Sequence, residues 1–378
     1  MIKILDSKKN NFNSSLNNLL SKRKNKIKFN RNIVVNIIKD IKKNGDKALI
    51  KYEKKFSKNS KILSKPIEIK KQIRNLDQKV KKSIDLSYKR IFEFHLKQKV
   101  KNIYYKDKLQ NKLSYKYIPL ESVGIYVPGG TASYPSTVLM NAIPAMIAGV
   151  KRIVMVNPRN KGKQNSGVLY AAKKCGIKEI YSIGGAQAIA ALAYGTKKIY
   201  KVNKIVGPGN LYVTTAKKEI FGDVGIDMIA GPSEITVVGD KHSNPNWITS
   251  DLIAQAEHDE QSQSILISKD KNLINKVKKL LFYQLKKLPR RSVATKSLKS
   301  NGILINVSSD KKLIEVINRI APEHLELNIR DYKNYINLIT NAGSIFLGKY
   351  STEAVGDYLA GTNHVLPTAG SAKFSSGL

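Results

Sequence analysis

The spacing of apolar residues changes along the chain and predicts different elements in its two parts. From residue 26 to about residue 115, apolar side chains recur at helical three- and four-residue intervals, as at Ile33, Ile37 and Ile41. Gly45 in "NGD" marks a helix end there, because glycine suits a C-cap. The first 25 residues are polar and rich in Asn, Lys and Ser, and they predict an N-terminal arm.

Beyond about residue 117, short β-type runs alternate with amphipathic helical stretches. The runs are "RIVMVN", "EIYSIGG", "KIVGPGN", "ITVVGD", "SILIS", "GILINV" and "SIFLG". Such alternation is typical of parallel sheets joined by crossover helices. The number of units predicts an α/β protein with two sheets, and a length of 378 residues is sufficient for two domains.

The charge balance qualifies this picture only slightly. The chain carries 67 Lys and Arg against 28 Asp and Glu, a formal net charge of +39, which suggests a nucleic-acid partner at first sight. Lys greatly outnumbers Arg, however, and the lysines are scattered through the whole chain. We therefore expect salt-sensitive, non-specific binding to polyanions and no specific nucleic-acid partner.

The single cysteine and the short apolar runs predict the cellular compartment of the protein. Cys175 is the single cysteine, so an internal disulfide is impossible and a reducing cytoplasm is the expected location. The N-terminus lacks the apolar core of a signal peptide. The longest apolar run contains Asn141 and Pro144 and is too short to span a bilayer, so no membrane partner is expected.

An acidic segment, "AQAEHDEQSQ", stands out in so basic a chain. No Lys or Arg occurs from Trp247 to Ser268. If this segment is helical, Gln255 and His258 are three residues apart and share one face. A divalent cation between them and a solvated helix end with a hydrogen-bonded histidine both fit this pattern.

Three other segments contain residues suited to chemistry. Glu323 and His324 are adjacent in "APEHLEL", and such a pair can divide general-base work. Asp357, Tyr358 and His364 lie in the glycine-containing segment 356–370, which is typical of site-bearing loops. The segments "SIGGAQAIA" and "IVGPGNLYV" each join a β-run to a helix through glycines, an arrangement that can expose backbone N–H groups to an anion.

Together these segments resemble, in order, the signature blocks of one family, the histidinol dehydrogenases. The blocks are "GIYVPGGTASYPSTVLMNAIPAMIAGV", "GGAQAIAALAYGT", "KIVGPGNLYVTTAKK", "IDMIAGPSEITVV", "DLIAQAEHDEQSQ", "APEHLEL", "AGSIFLG" and "GDYLAGTNHVLPTAGSAKFSSGL". The resemblance covers most of residues 117–378. It implies two Rossmann-like doubly wound domains with a helical N-terminal arm at 1–25. The expected domains are 26–125 with 236–378, and an inserted 126–235.

The resemblance also implies an activity and its residues. L-histidinol would be oxidised through L-histidinaldehyde to L-histidine with two NAD⁺, the last step of histidine biosynthesis, by a zinc-dependent homodimer. The implied residues are, for zinc, Gln255, His258 and Asp357; for catalysis, Glu323 to activate water and His324 as base; for NAD, Tyr126, Gln187 and Asn210; and for substrate, Ser233, Tyr358 and His364 together with Gln255, His258, His324 and Asp357.

One departure from the family pattern concerns the C-terminus. Family members continue past the "SSGL" at which this chain stops, and their tail supplies a histidine zinc ligand and a substrate-binding glutamate to the partner subunit. The expectation is therefore a three-ligand zinc site completed by water or substrate, with weaker zinc binding and a weakened homodimer. A fragment, a decaying gene and an enzyme that works without the tail are all compatible with this ending.

Other functions remain as rival hypotheses. An inactive remnant would fold without turnover, a basic nucleic-acid-binding protein would need clustered Arg and aromatic residues, and a zinc hydrolase would not need NAD. Formation of NADH from L-histidinol separates all three from the dehydrogenase.

Overall fold

The structure is a computed structural model that describes residues 2–25, 31–129, 134–160, 162–229 and 231–378. The helices are α1 (Phe12–Asn25), α2 (Arg31–Ser57), α3 (Pro66–Arg74), α4 (Gln78–Leu96), α5 (Pro135–Ala148), α6 (Ser166–Lys174), α7 (Gly185–Tyr194), α8 (Leu211–Ile220), α9 (Pro245–Ala256), α10 (Lys271–Leu285), α11 (Arg291–Asn301), α12 (Asp310–Ile320), α13 (Lys333–Ile336) and α14 (Glu353–Tyr358). The strands are β1 (Lys3–Asp6), β2 (Ile103–Lys106), β3 (Lys112–Tyr115), β4 (Ser122–Tyr126), β5 (Arg152–Val156), β6 (Glu179–Tyr181), β7 (Lys204–Val206), β8 (Gly225–Ile226), β9 (Glu234–Gly239), β10 (Gln263–Ser268), β11 (Ile303–Asn306), β12 (His324–Asn328) and β13 (Ser344–Leu347).

The chain divides into two compact units. The first unit consists of Met1–Phe29, Met228–Asp357 and Leu366–Gly377, and the second of Asn30–Asp227, Tyr358–Val365 and Leu378. Residues 228–235 join the first unit and 358–365 the second, and the largest difference from the predicted domains is that 30–125 also join the second. The reason is packing: α2 packs on α7 and α8, and α4 packs on α5 and α6, so these helices belong with the inserted sheet.

A six-stranded parallel sheet forms the centre of the first unit, in the order β1-β11-β10-β9-β12-β13. Alternate residues of its strands face opposite sides. Ile265 and Ile267 of β10 pack with α1 and α12, whereas Leu266 packs with the helices α9, α10 and α11. Helices therefore cover both faces, as expected for a doubly wound fold.

A five-stranded parallel sheet forms the centre of the second unit, in the order β6-β5-β4-β7-β8. The strands β6, β5 and β4 lie side by side in the same order as β11, β10 and β9 in the first unit. In each sheet the next strand along the chain lies on the other side of these three, with β7 beside β4 and β12 beside β9. Val123 and Ile125 of β4 pack into a buried cluster with α4, α5 and α6. The predicted α/β class with two parallel, Rossmann-like sheets is confirmed.

The N-terminal hundred residues contain both agreements and corrections. Gly45 has a φ of 51° and kinks α2, in agreement with the predicted helix end. The predicted arm is helical in α1, but β1 precedes that helix and pairs in parallel with β11. The helical prediction is wrong for 103–115, where β2 and β3 form an antiparallel hairpin. Within the described ranges, each helix is too short or too polar to cross a bilayer.

Candidate active site

Glu323 and His324 lie at the amino end of β12, directly after α12. Ala321 ends that helix with a φ of 47°, in the left-handed region that stops helical hydrogen bonding. The backbone N–H of Ser344 then donates to the carbonyl of Glu323 at 2.9 Å, which ties this turn to the neighbouring β13. The fold thus fixes the backbone of both predicted catalytic residues.

The backbone of Glu234, the first residue of β9, contacts both side chains. Its N–H donates to Oε2 of Glu323 at 2.8 Å, and its carbonyl oxygen lies 3.0 Å from Nδ1 of His324. Because a carbonyl only accepts, Nδ1 of His324 carries the proton and donates. Nε2 of the same ring is directed to Asp357, whose Oδ1 is 3.4 Å away. The geometry therefore leaves Nε2 as the nitrogen that can accept a proton.

The pair Glu323 and His324 is buried among carboxylates. Burial alone would lower the pKa of His324, but Glu353, Glu323 and Asp357 together raise it well above its usual value. Nδ1 of His324 is 3.6 Å from Oε1 of Glu353 and 3.7 Å from Oε2 of Glu323. Burial also raises the pKa of Glu323 well above its usual range. Strongly shifted groups of this kind are typical of functional sites.

A candidate metal centre includes His324 of this pair. Ligand atoms of His324, Glu353 and Asp357 are all within 4.8 Å of one another. Gln255, in the last turn of α9, is 1% exposed, and neither atom of its amide has a hydrogen-bond partner among the described residues. A buried, unsatisfied amide oxygen is costly unless a ligand completes it. The amide of Gln255 and the cluster of His324, Glu353 and Asp357 thus each offer donor atoms that suit a divalent cation.

The predicted ligands Gln255, His258 and Asp357 all belong to the first unit. Burial lowers the pKa of His258, and the nearby Asp357 carboxylate opposes that effect. The structure adds Glu353 to the group, which the sequence analysis missed. Glu353 and Asp357 are four residues apart on α14, a spacing that places both on one helix face. That spacing was the available signal.

Two further acids lie near Glu353 and were not among the predicted site residues: Glu326, which is buried, and Asp251, which is half-buried. Oε1 of Glu326 accepts the backbone N–H of Glu353 at 2.7 Å. Burial, reinforced by Asp251, raises the pKa of Glu326 to about 9, and burial raises that of Asp251 to about 6. Glu326 is two residues beyond His324 on β12, so both side chains lie on the same face of the strand.

The acidic segment 247–268 contains no Lys or Arg, but cations from other parts of the chain approach it. Nζ of Lys296, on α11, lies 2.7 Å from Oε1 of Glu260, and Arg290 reaches the carbonyl of His258 at 3.5 Å. Both cations come from outside residues 247–268. The tertiary structure therefore pairs the exposed Glu260 with a cation. Only the buried acids and Gln255 still indicate a bound metal cation.

The residues predicted to contact NAD lie in the second unit, after the carboxyl ends of its strands. Tyr126 ends β4, Gln187 lies in the first turn of α7, and Asn210 caps α8 by accepting from the N–H of Val213 at 3.2 Å. Tyr126 and Gln187 are buried. Ligands of doubly wound sheets bind at this end, close to the point where strand order reverses.

Glu53 of α2 is a residue of this region that the sequence analysis missed. Its fully buried Oε1 accepts from the N–H of Gly184 at 2.9 Å and from Nε2 of Gln187 at 2.8 Å. The N–H of Gly185 donates to the hydroxyl of Tyr126 at 3.1 Å. The N–H groups of Gly184 and Gly185 therefore already have acceptors within the protein. The prediction that segment 182–190 exposes its backbone N–H groups to an anion is wrong for these two groups.

The second glycine segment is held by a buried ion pair. Lys217 forms an ion pair with Asp227, and it also donates to the carbonyl of Gly207 at 3.1 Å. The N–H of Gly207 donates to Oδ2 of Asp227 at 2.7 Å. Gly207 has a φ of 107°, and a Cβ there would lie 2.2 Å from the carbonyl oxygen of Tyr126. Only glycine fits this approach.

The predicted substrate contacts are divided between the units. Ser233 precedes β9, and its carbonyl accepts from the N–H of Gln263 at 3.1 Å. Tyr358, which is 45% exposed, and His364 belong to the second unit. The N–H of His364 donates to Sδ of Met140 at 3.3 Å. The substrate roles of these residues stay predictions.

Comparison with known proteins places this arrangement in a family context. The family model of histidinol dehydrogenase matches residues 20–378. Histidinol dehydrogenase of Pelagibacter ubique is 66% identical over all of this chain and 89% of its own length, and that of Nitrosomonas europaea is 45% identical with the same coverage. The crystal structure of histidinol dehydrogenase from Elizabethkingia anophelis aligns with a TM-score of 0.94 and 40% identity, covering 100% of this chain and 87% of that one.

Proposed function

Because this chain belongs to the histidinol dehydrogenase family of oxidoreductases, we propose that it oxidises L-histidinol through L-histidinaldehyde to L-histidine, the last step of histidine biosynthesis, with two NAD⁺. The observation that carries the proposal is the pair Glu323 and His324, which the backbone of Glu234 orients at the amino ends of β9 and β12.

His324 is the proposed base for the alcohol. Its Nδ1–H is fixed to the carbonyl of Glu234, so Nε2 accepts the hydroxyl proton of the substrate as the carbon is oxidised. The carboxylates of Glu353 and Asp357 stabilise the resulting imidazolium, since Nδ1 is 3.6 Å from the first and Nε2 is 3.4 Å from the second. The carboxylates of Glu353, Glu323 and Asp357 around this ring therefore stabilise its protonated form.

Glu323 is the proposed base for water in the second half of the reaction. Oε2 accepts the N–H of Glu234, which orients the carboxylate. Burial raises the pKa of Glu323, so it is a stronger base than an exposed carboxylate. It takes a proton from the water that attacks the aldehyde carbon, and the hydrate formed is oxidised to the acid. Retaining the aldehyde between the two steps protects a reactive compound.

Zinc and NAD are the proposed cofactors. Gln255, His258 and Asp357 would hold zinc, which leaves Nε2 of His324 free to accept a proton. When bound, zinc supplies a Lewis acid that polarises the substrate, and NAD⁺ supplies the hydride acceptor. Tyr126, Gln187 and Asn210 would contact NAD. Ser233, Tyr358 and His364 would contact the substrate, together with the zinc ligands and His324.

A cytoplasmic homodimer is the proposed state. Cys175 is buried, and burial raises the pKa of its thiol to about 12, so it is a quiet core residue rather than a reactive one. The hairpin of β2 and β3 exposes large apolar side chains, among them Tyr104 at 77% and Leu109 at 83%. Apolar area of this kind supports contact with a second copy.

The test is formation of NADH from L-histidinol by the purified chain, with zinc added and with a chelator. Zinc-dependent formation of two NADH per histidinol consumed would establish the activity, since each oxidation step reduces one NAD⁺. Zinc-independent NADH formation would remove zinc from the proposal. A folded protein that forms no NADH with zinc present would overturn the proposed function and favour an inactive remnant.

A further inference from the structure

One buried cation in the first unit has no role in the reaction described above. Arg23, near the end of α1, has a side chain only 6% exposed. Its Nε lies 2.5 Å from Oε1 of Gln263 and 3.3 Å from Oε1 of Glu234, and its Nη1 donates to the carbonyl of Ile320 at 2.9 Å. Three groups distant in sequence thus converge on one guanidinium.

Glu234 links this cation to the catalytic pair. Its side chain faces Arg23 and accepts the N–H of Ala369 at 3.2 Å, while its backbone bonds Glu323 and His324. Any rotation of residue 234 would therefore move the N–H that orients Glu323 and the carbonyl that fixes the proton on His324. The ion pair holds the residue whose N–H and carbonyl set both of these orientations.

Ile320 provides a second connection to the same pair. It is the last residue of α12, and only Ala321 and Pro322 separate it from Glu323. By bonding the carbonyl of Ile320, Arg23 fixes the position from which the chain turns into β12. The guanidinium therefore constrains the catalytic residues from both β9 and α12.

We propose that Arg23 is a positioning residue, which orients Glu323 and His324 through the side chain of Glu234 and the carbonyl of Ile320. This inference rests on the proposed function. A planar guanidinium can bond several acceptors in fixed directions, which an ammonium cannot do in the same geometry. Burying a charge is costly without such partners, and the three acceptors around this guanidinium hold it in one geometry.

The main test compares Arg23→Met with Arg319→Met. Arg319 also docks α1, through Oδ1 of Asn13 at 2.8 Å, but its bonds run to α1 rather than to Glu234. We expect Arg23→Met to lower kcat by about 10- to 100-fold, because small displacements of reacting groups have effects of that size. KM for histidinol and for NAD should change less than about threefold, and Arg319→Met should keep kcat within about twofold.

Two further variants cover a loss of folding. Arg23→Met leaves Glu234 buried and unpaired, so Arg23→Met/Glu234→Gln removes both charges and should restore folding while kcat stays low. Arg23→Lys keeps the charge near Glu234 but loses the planar bonds, and an intermediate kcat is expected. A folded Arg23→Met or double variant with wild-type kcat, or equal losses in Arg23→Met and Arg319→Met, would overturn the proposal.

A structural measurement separates this proposal from the proposed function. The Nδ1–H of His324, bonded to a buried carbonyl, should give a downfield proton resonance that is absent in His324→Asn. We expect it to shift or broaden in Arg23→Met and to persist in Arg319→Met. If the wild type forms no NADH but the resonance behaves in this way, the proposed function fails and the orientation by Arg23 stands. An unchanged resonance in Arg23→Met contradicts the positioning itself.

Discussion

The two sheets share a strand order but carry their polar residues at opposite ends. In the first unit, Glu323 and His324 lie at the amino end of β12, beside the start of β9. In the second unit, Tyr126 is the last residue of β4, and Asn210 follows the carboxyl end of β7. The second arrangement follows the general rule for doubly wound sheets, and the first does not. Strand order alone therefore does not determine where chemistry occurs.

The two regions also differ in electrostatics. The first contains buried carboxylates with raised pKa values, including Glu323, Glu326 and Glu353. It also contains the imidazole of His324, whose pKa is raised by Glu353, Glu323 and Asp357. In the second, backbone amides and Gln187 bond the acid Glu53, the phenol of Tyr126 accepts from the N–H of Gly185, and the acid Asp227 is paired with Lys217. This contrast suits proton transfer in the first region and binding of a cofactor in the second.

The variant with the largest expected effect tests whether proton transfer takes place in the first region, at His324. We expect His324→Asn to lower kcat for NADH formation by about 10²- to 10⁴-fold, the range typical of a general base. His242→Asn, an exposed loop variant, is the control and should be indistinguishable from wild type. If His324→Asn stays within about twofold of wild-type kcat, the assignment of the base is wrong.

The second prediction concerns stability in the second unit. Lys217 and Asp227 have side chains 3% and 1% exposed, so Lys217→Met leaves a buried carboxylate without its cation. The free energy of unfolding should fall by about 3–5 kcal/mol, as for other broken buried pairs. Denaturant unfolding followed by circular dichroism measures this, with the exposed neighbour Lys218→Met as control. Lys217→Met/Asp227→Asn should recover part of the loss, and a single variant as stable as wild type contradicts the pairing.

The third prediction concerns metal binding by the amide of Gln255, which has no hydrogen-bond partner among the described residues. Gln255→Leu should weaken zinc binding by at least about tenfold, since loss of groups that orient or ligate a metal commonly has effects of that size. Competition with a chromophoric chelator measures the affinity without reference to turnover. Asp259→Asn, an exposed change in the same segment, should bind zinc like the wild type. Equal affinities in all three proteins would exclude Gln255 as a ligand.

The smallest expected effect concerns the second region. Glu53→Gln retains one acceptor oxygen but loses the charge that faces Gly184 and Gln187. We expect KM for NAD to rise about fivefold with kcat nearly unchanged, which corresponds to about one hydrogen bond. The exposed Glu93→Gln is the control. A large loss of kcat with unchanged KM would place Glu53 among the groups that affect the chemical steps.

Most of the strands could be predicted from local pattern, and the failures have identifiable causes. β12 was missed because "HLELN" follows closely on the helical run of α12, although its alternation of polar and apolar residues is typical of a strand; its polar face is buried here rather than exposed. β1 is a short segment whose partner, β11, lies about 300 residues away, a pairing that no local pattern shows. The hairpin of β2 and β3 exposes both of its faces, so its residues lack a clear strand alternation.

The sequence by itself determined the α/β class, the β-runs of both sheets and the residues that resemble a known family, because these depend on local periodicity and on short motifs. Only the tertiary structure decided which unit α2 and α4 join and which cations approach the acidic segment. It also decided that Glu353 and Glu53 lie beside predicted site residues and that Arg23 pairs with Glu234. These features depend on contacts between residues far apart in the chain, and burial is what gives such polar groups their energetic weight.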